Sequence, residues 1–124
     1  MSTFKKLEDI EVWKRRCRLA VSIYQFTASI SFDKFWALRE QILKSAVPIP
    51  SIIAEGYERD SSTEFKRFLL IAKGSCAELR TQLYIIKALY VFDPEQVIYF
   101  INECMEIASM LQSMIRYLKT LKKK

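Results

Sequence analysis

A shortage of helix-breaking residues constrains the fold of this chain more than any other feature. Its 124 residues include two glycines and three prolines, roughly a third of the usual combined share. Sheet-rich proteins need both residues for their many turns, so this shortage favours a few long helices with few connections. A composition of 51% hydrophobic and 27% charged residues suits one globular domain of this length. The sequence therefore predicts an all-α fold in a single domain that spans residues 1–124.

Apolar residues spaced three and four positions apart predict four helices. Their approximate bounds are 7–30, 34–56, 62–91 and 94–121. The apolar stripe of the first is predicted to comprise Trp13, Cys17, Ala20, Tyr24 and Thr27, with Leu19, Ile23, Phe26 and Ile30 on an adjoining face. Because the implied connections are short, consecutive helices are predicted to run antiparallel, as an up-down-up-down four-helix bundle.

Local signals mark the helix ends. Ser61 opens a Ser-Ser-Thr-Glu capping box at the start of the third helix, and Asp93 precedes a proline at the start of the fourth. Pro48 and Pro50 interrupt the second helix, which is therefore expected to kink near them. Gly56 is expected to end that helix, since glycine enters the left-handed conformation without strain.

Two of the predicted helices carry a second apolar row at seven-residue spacing. One row comprises Leu70, Ala77, Tyr84 and Val91, and the other comprises Phe100, Ile107, Met114 and Leu121. A helix with such a wide apolar arc either lies deep in a core or buries a second face against another subunit. We predict homo-oligomerisation through these rows. The alternative is that they are the widened edges of an ordinary core.

The chain has no histidine, which removes the commonest general base and the commonest metal ligand. Cys17, Cys76 and Cys104 are odd in number and widely spaced, so we expect small buried thiols in a reducing, cytoplasmic compartment. Glu78 is expected to be a partly buried structural carboxylate, held by an arginine or a hydroxyl. No glycine-rich phosphate loop, secretory signal or transmembrane segment is recognisable. We expect no catalytic centre, no metal and no cofactor.

The chain is basic, with 20 lysines and arginines against 14 acidic residues and a formal net charge of +6. A basic balance suits polyanionic partners such as nucleic acid. Four cations recur every seven residues on the third helix and predict a stripe about 30 Å long, and three more share one side of the first helix. These candidate phosphate-binding residues are Lys66, Lys73, Arg80 and Lys87, with Lys14, Arg15 and Arg18. The alternative for each group is a solvated face that serves only solubility.

Two motifs carry a family resemblance. The sequence Ile-Pro-Ser-Ile-Ile-Ala-Glu-Gly at 49–56 and the pattern Gly-Ser-x-x-Glu-Leu at 74–79 resemble the 23S ribosomal RNA intervening-sequence protein family. The resemblance extends over nearly the whole chain. Two positions depart from the family pattern: Ile52 stands where asparagine is usual, and Arg80 stands where glutamate is usual. The second departure makes the stripe on the third helix more basic.

The resemblance implies an antiparallel four-helix bundle that assembles as a ring-like homopentamer. It also implies kinship with the accessory variability proteins of diversity-generating retroelements, which are basic pentameric barrels that bind a reverse transcriptase and nucleic acid. Our hypothesis is a non-enzymatic, homo-oligomeric protein that binds RNA or DNA through phosphate contacts, with a reverse transcriptase as the implied protein partner. The alternative is a structural protein-interaction scaffold with no role in nucleic-acid binding.

Overall fold

The computed structural model describes residues 4–121, apart from the side chains of residues 30 and 31. Every regular element within that range is helical, which confirms the all-α prediction. The five α-helices are α1 Glu11–Thr27, α2 Trp36–Ala46, α3 Pro48–Glu58, α4 Ser62–Leu89 and α5 Pro94–Thr120. Short 3-10 turns occupy Leu7–Asp9 and Ile30–Phe35. No helix in the described part of the chain is long and apolar enough to cross a membrane.

The first helix is shorter than predicted at both ends. Ile10 is buried with an extended backbone, so the turn before it is separate from α1. After Thr27 the chain enters the second 3-10 turn, which places Phe32 in the core. The Phe32 ring packs on Phe26 and Phe92, with centroid distances of 5.3 Å and 4.4 Å. Aromatic packing of this kind stabilises the turn over a continued helix.

The buried face of α1 is the adjoining apolar face rather than the predicted stripe. The residues that it buries are Val12, Arg16, Leu19, Ile23, Phe26 and Thr27. Of the predicted stripe only Thr27 is buried, and Tyr24 is 54% exposed. Leu19, Ile23 and Phe26, predicted on the adjoining face, are buried, while Trp13, Cys17 and Ala20 are only partly buried. The consequence is that a charged residue, Arg16, lies in the core.

The prolines break the second predicted helix where the sequence indicates. The segment α2 ends at Ala46 and α3 begins at Pro48, while Val47 between them keeps helical dihedral angles (φ −70°, ψ −40°). Pro50 has no N–H to donate to the Ala46 carbonyl, four residues earlier. The Arg16 guanidinium donates to that carbonyl instead, with an Nη2–O distance of 3.3 Å.

Gly56 does not end a helix. It is buried inside α3, which continues to Glu58, and neither glycine has a positive φ. A Cβ at position 56 would lie 2.5 Å from the Cβ of Phe68 and 3.4 Å from the Phe65 ring. The missing side chain thus permits the close approach of α3 to α4. Among residues 4–121, the positive-φ residues are Asp60 and Tyr90, of which Tyr90 follows the end of α4.

Both predicted N-caps are present. The Ser61 hydroxyl accepts a hydrogen bond from the Glu64 backbone N–H (3.2 Å), and an Asp93 carboxylate oxygen accepts one from the Glu95 N–H (3.2 Å). The Glu64 carboxylate does not reach back to complete the capping box, because it accepts from the Arg67 guanidinium at 3.0 Å. This ion pair lowers the pKa of Glu64.

The helices pack around one apolar core. Helix α4 packs on α5, α3 and α2, while α1 packs on α5, α3 and α2. These contacts are compatible with an antiparallel bundle in which α2 and α3 together occupy one position. Helix α5 therefore has a neighbour on each of two sides, α4 and α1. The contact between α4 and α5 is the most extensive contact between helices.

Candidate nucleic-acid interface

The four cations predicted on one helix lie along one flank of α4, beside its contact with α5. Lys73 fixes this position, because its ammonium donates to the Gln112 side-chain oxygen of α5 at 2.5 Å. Lys66, Lys73 and Arg80 are partly exposed and Lys87 is exposed. Within residues 4–121, neither a hydrogen bond nor a salt bridge engages Lys66, Arg80 or Lys87. The stripe is thus a row of available positive charges.

Helix α5 extends this row with two cations that are not among the seven candidate phosphate-binding residues. Arg116 and Lys119 follow Gln112 at four- and seven-residue spacing, so they share its face of α5, and both are exposed. The spacing itself is the sequence signal for them. We call the combined surface along the α4–α5 contact the basic seam. Its members are Lys66, Lys73, Arg80, Lys87, Arg116 and Lys119.

Acidic side chains lie away from the basic seam. On α5, Glu103 and Glu106 face α1, where both accept from the Arg15 guanidinium. On α4, Glu64 and Glu78 lie on the side opposite the stripe at 3.6 residues per turn. Glu78 is exposed, so the expectation that a neighbouring group holds it in a partly buried site is wrong. In the described part of the chain, no carboxylate forms a salt bridge with the basic seam.

The cations on α1 form a different and weaker site. Arg15 is held by Glu103 at 2.5 Å and by Glu106 at 2.6 Å, and these carboxylates raise its pKa. Lys14 pairs with Glu11 at 2.9 Å. Arg18 is exposed and makes no salt bridge or hydrogen bond within residues 4–121. Arg15 contacts Glu103, which lies on the side of α5 opposite Gln112, so the structure does not join these residues to the stripe on α4.

The two predicted apolar rows differ in exposure: the row on α5 is buried or partly buried, and the row on α4 is exposed. Phe100 and Ile107 are buried in the core of the single chain, so the prediction that they form an exposed interface is wrong. Met114 and Leu121 are partly buried against the same core. This apolar row of α5 lies in the core because α5 packs on both α4 and α1, which requires a wide apolar face.

The row on α4 is accessible. Leu70 is 54% exposed and Tyr84 51% exposed, and Ala77 and Val91 are exposed too. Two more apolar side chains on this side of the helix, Ile71 and Ile85, are exposed and are absent from the predicted row. We call this surface, made of Leu70, Ile71, Ala77, Tyr84 and Ile85, the outer face of α4. It borders the basic seam, since Leu70 follows Lys66 by four residues and Tyr84 follows Arg80 by four.

Sequence reasoning also missed the environment of Arg16. Its side chain is fully buried, and the Cys76 and Cys104 thiols lie beside its guanidinium. Burial lowers the pKa of Arg16, raises that of Cys76 and raises that of Cys104 to about 12, so both thiols are protonated at neutral pH. Within the described residues, no group of three or more acidic, cysteine or histidine side chains is placed to hold a metal.

Comparison with known proteins agrees with this architecture. The sequence profile of the family described as 23S rRNA-intervening sequence protein matches residues 8–113. The chain belongs to this family. It is also similar to a protein of unknown function from the S23 ribosomal protein family of Bacteroides thetaiotaomicron, whose crystal structure was determined at 1.70 Å resolution. The two chains are 26% identical and superpose with a TM-score of 0.77, over 85% of this chain and 98% of the other. No curated protein matches the sequence.

Proposed function

We propose that the chain is a non-enzymatic, self-associating antiparallel four-helix bundle that binds RNA or DNA through the basic seam. The observation that carries this proposal is the separation of charge on α5. Its two central carboxylates, Glu103 and Glu106, face α1 and neutralise Arg15, whereas its cations Arg116 and Lys119 lie beside the stripe on α4. A surface that served only solubility would gain nothing from this separation.

The geometry suits contacts to phosphates rather than to bases. Seven residues of α-helix rise about 10 Å, so the cations on α4 stand at regular intervals along a rigid rod. Long lysine side chains reach a backbone as point charges, and the planar guanidinium of Arg80 binds a phosphate through two N–H groups. Such contacts position a nucleic acid and release counterions without reading its sequence.

The outer face of α4 is the surface for self-association. Four large apolar side chains, each at least 44% exposed, lie on one side of a single helix. Apolar surface of this extent is typical of interfaces. Because this face borders the basic seam, assembly brings several seams together and raises the affinity through effective concentration. The pentamer and the reverse transcriptase partner that the family resemblance implies stay predictions.

The test is a salt titration of a charge variant against a matched control. The seam variant is Lys73→Gln, Arg80→Gln and Lys87→Gln, and the control is Lys6→Gln, Lys34→Gln and Lys44→Gln, which removes the same charge elsewhere. Fluorescence anisotropy with unrelated RNA and DNA oligomers gives the slope of log K against log salt, expected at about −0.7 to −0.9 per phosphate neutralised. The slope of the seam variant should be shallower than that of the wild type by the contribution of up to three phosphate contacts. The control should keep the wild-type slope.

Two results would contradict the proposal. Equal losses in the seam variant and the control would mean that net charge alone attracts the oligomers. If the wild-type protein binds no oligomer at low salt, the alternative of a structural protein-interaction scaffold is favoured.

A further inference from the structure

A small cavity opens within the basic seam. It has a volume of about 110 Å³ and lies between the middle turns of α4 and α5. Its lining residues are Lys73, Cys76, Ala77, Arg80, Cys104 and Ala108. The space exists because short side chains face each other across the helices at this level. It equals the volume of three or four water molecules at about 30 Å³ each, which leaves room for a group of phosphate size.

Two cations border this cavity, and neither is neutralised within the described chain. Lys73 and Arg80 are two helical turns apart on α4, so the cavity lies between their positions. The Lys73 ammonium has one hydrogen bond, to the neutral Gln112 side chain. Arg80 has neither a hydrogen bond nor a salt bridge within residues 4–121. The cavity therefore lies in a local excess of positive charge.

A third cation lies behind the cavity. Cys76 and Cys104, which line it, also lie beside the buried Arg16 guanidinium. Nη2 of Arg16 donates to the Ala46 carbonyl, but Nε and Nη1 are buried with no hydrogen-bond partner in the described part of the molecule. A buried charge without a counter-charge is strongly unfavourable, because the medium around it screens poorly. An anion in the adjoining cavity would offset that cost.

We propose that this cavity binds a phosphate monoester. A monoester carries about −1.5 to −2 charges at neutral pH, whereas each diester of a nucleic-acid backbone carries one. The more highly charged group matches a pocket with two cations at its border and a third behind it. The inference rests on the proposed function where the phosphate is the terminal group of a nucleic acid. Free inorganic phosphate offers the same chemistry.

The experiment separates these two sources. Two RNA oligomers of one sequence, one with a 5′ phosphate and one with a 5′ hydroxyl, are titrated by anisotropy with and without inorganic phosphate as competitor. The wild-type protein should bind the phosphorylated oligomer at least about tenfold more tightly, and millimolar phosphate should remove that preference. Inorganic phosphate should also raise the melting temperature of the wild-type protein.

Three variants locate the site. Arg80→Gln should abolish both the preference for a 5′ phosphate and the thermal stabilisation by phosphate. Lys44→Gln removes the same charge from α2, outside both the cavity and the basic seam, and should keep both effects. Ala108→Leu fills the cavity without changing any charge and should abolish both. Circular dichroism checks that each variant is folded.

The outcomes distinguish the cavity from the seam. Equal binding of the two oligomers, with a normal salt slope and no thermal effect of phosphate, would overturn the phosphate site while the proposed function stands. Retention of the preference by Ala108→Leu would also overturn it. Thermal stabilisation that Arg80→Gln abolishes, with no binding of either oligomer, would establish a site for free phosphate and contradict the proposed nucleic-acid function.

Discussion

At the scale of single residues, Pro50 explains why an arginine occupies the core. A helical residue at position 50 would donate its N–H to the Ala46 carbonyl, but proline has none, and the carbonyl lies where water does not reach. The Nη2 group of Arg16 supplies the missing hydrogen bond at 3.3 Å. An unsatisfied buried carbonyl costs about 1–3 kcal/mol, which is part of what offsets the cost of burying the guanidinium.

If Arg16 replaces the amide that Pro50 lacks, substitutions at positions 16 and 50 should be coupled in their effects on the free energy of unfolding. In the wild-type background, Arg16→Met removes a buried charge but leaves the Ala46 carbonyl without a donor. In a Pro50→Ala background the residue 50 amide can donate to that carbonyl, so Arg16→Met should be less destabilising by about 1 kcal/mol or more. Urea denaturation of the wild type, both single variants and the double variant measures this difference. Additive changes in the free energy of unfolding would show that Arg16 does not replace the amide.

The same residue shows where sequence reasoning fails at this scale. Position 16 follows Val12 by four and precedes Leu19 by three, so helical spacing places it on the buried face. The predicted stripe runs through Cys17 instead and leaves Arg16 out. Arg16 lies on the buried face because it donates to the Ala46 carbonyl, 30 residues away in the sequence. A pattern read along one helix cannot contain that contact.

At the scale of helices, the two glycines have opposite roles and provide a matched pair of substitutions. Gly56→Ala places a Cβ 2.5 Å from the Phe68 Cβ, which forces α3 and α4 apart and should destabilise the protein by about 1–3 kcal/mol. A Cβ at Gly74 would meet no heavy atom within 4 Å beyond its chain neighbours and the local helix backbone, so Gly74→Ala should stabilise α4 by about 0.5–1 kcal/mol. Denaturant unfolding at equal concentration measures both. Similar changes at the two positions would contradict the close approach at Gly56.

The helix ends divide into those that local chemistry determines and those that packing determines. The caps at Ser61 and Asp93 were predictable, because each is a hydrogen bond to a backbone N–H two or three residues ahead. An interruption near Pro48 was predictable for the same reason, since proline acts on its own turn, but the sequence favoured one kinked helix where the structure has two. Gly56 was not, because glycine serves equally at a helix end and at a close helix contact. Only its partner Phe68, on the next helix, distinguishes the two roles.

At the scale of the whole molecule, the contacts of α5 with α4 and with α1 determine which apolar and charged surfaces are exposed to solvent. Contact with both α4 and α1 places Phe100 and Ile107 inside the chain, although they share the seven-residue spacing of the exposed row on α4. The basic stripe was predictable from its spacing, but the position of its counter-charges was not. That Glu103 and Glu106 neutralise Arg15 rather than the stripe depends on which side of α5 faces α1.

Self-association through the outer face of α4 gives a prediction with an internal control. Leu70 and Tyr84 are 54% and 51% exposed, so Leu70→Glu with Tyr84→Glu adds two charges that the single chain leaves solvated. Within an interface between copies those charges would be buried without partners, which opposes assembly. Light scattering at micromolar concentration should therefore give an oligomer for the wild type and a monomer with unchanged helical circular dichroism for this variant. Ile107→Glu instead buries a charge in the core and should unfold the chain, with loss of the helical signal. A wild-type monomer, or an oligomer that survives both exposed substitutions, would exclude this face as the site of assembly.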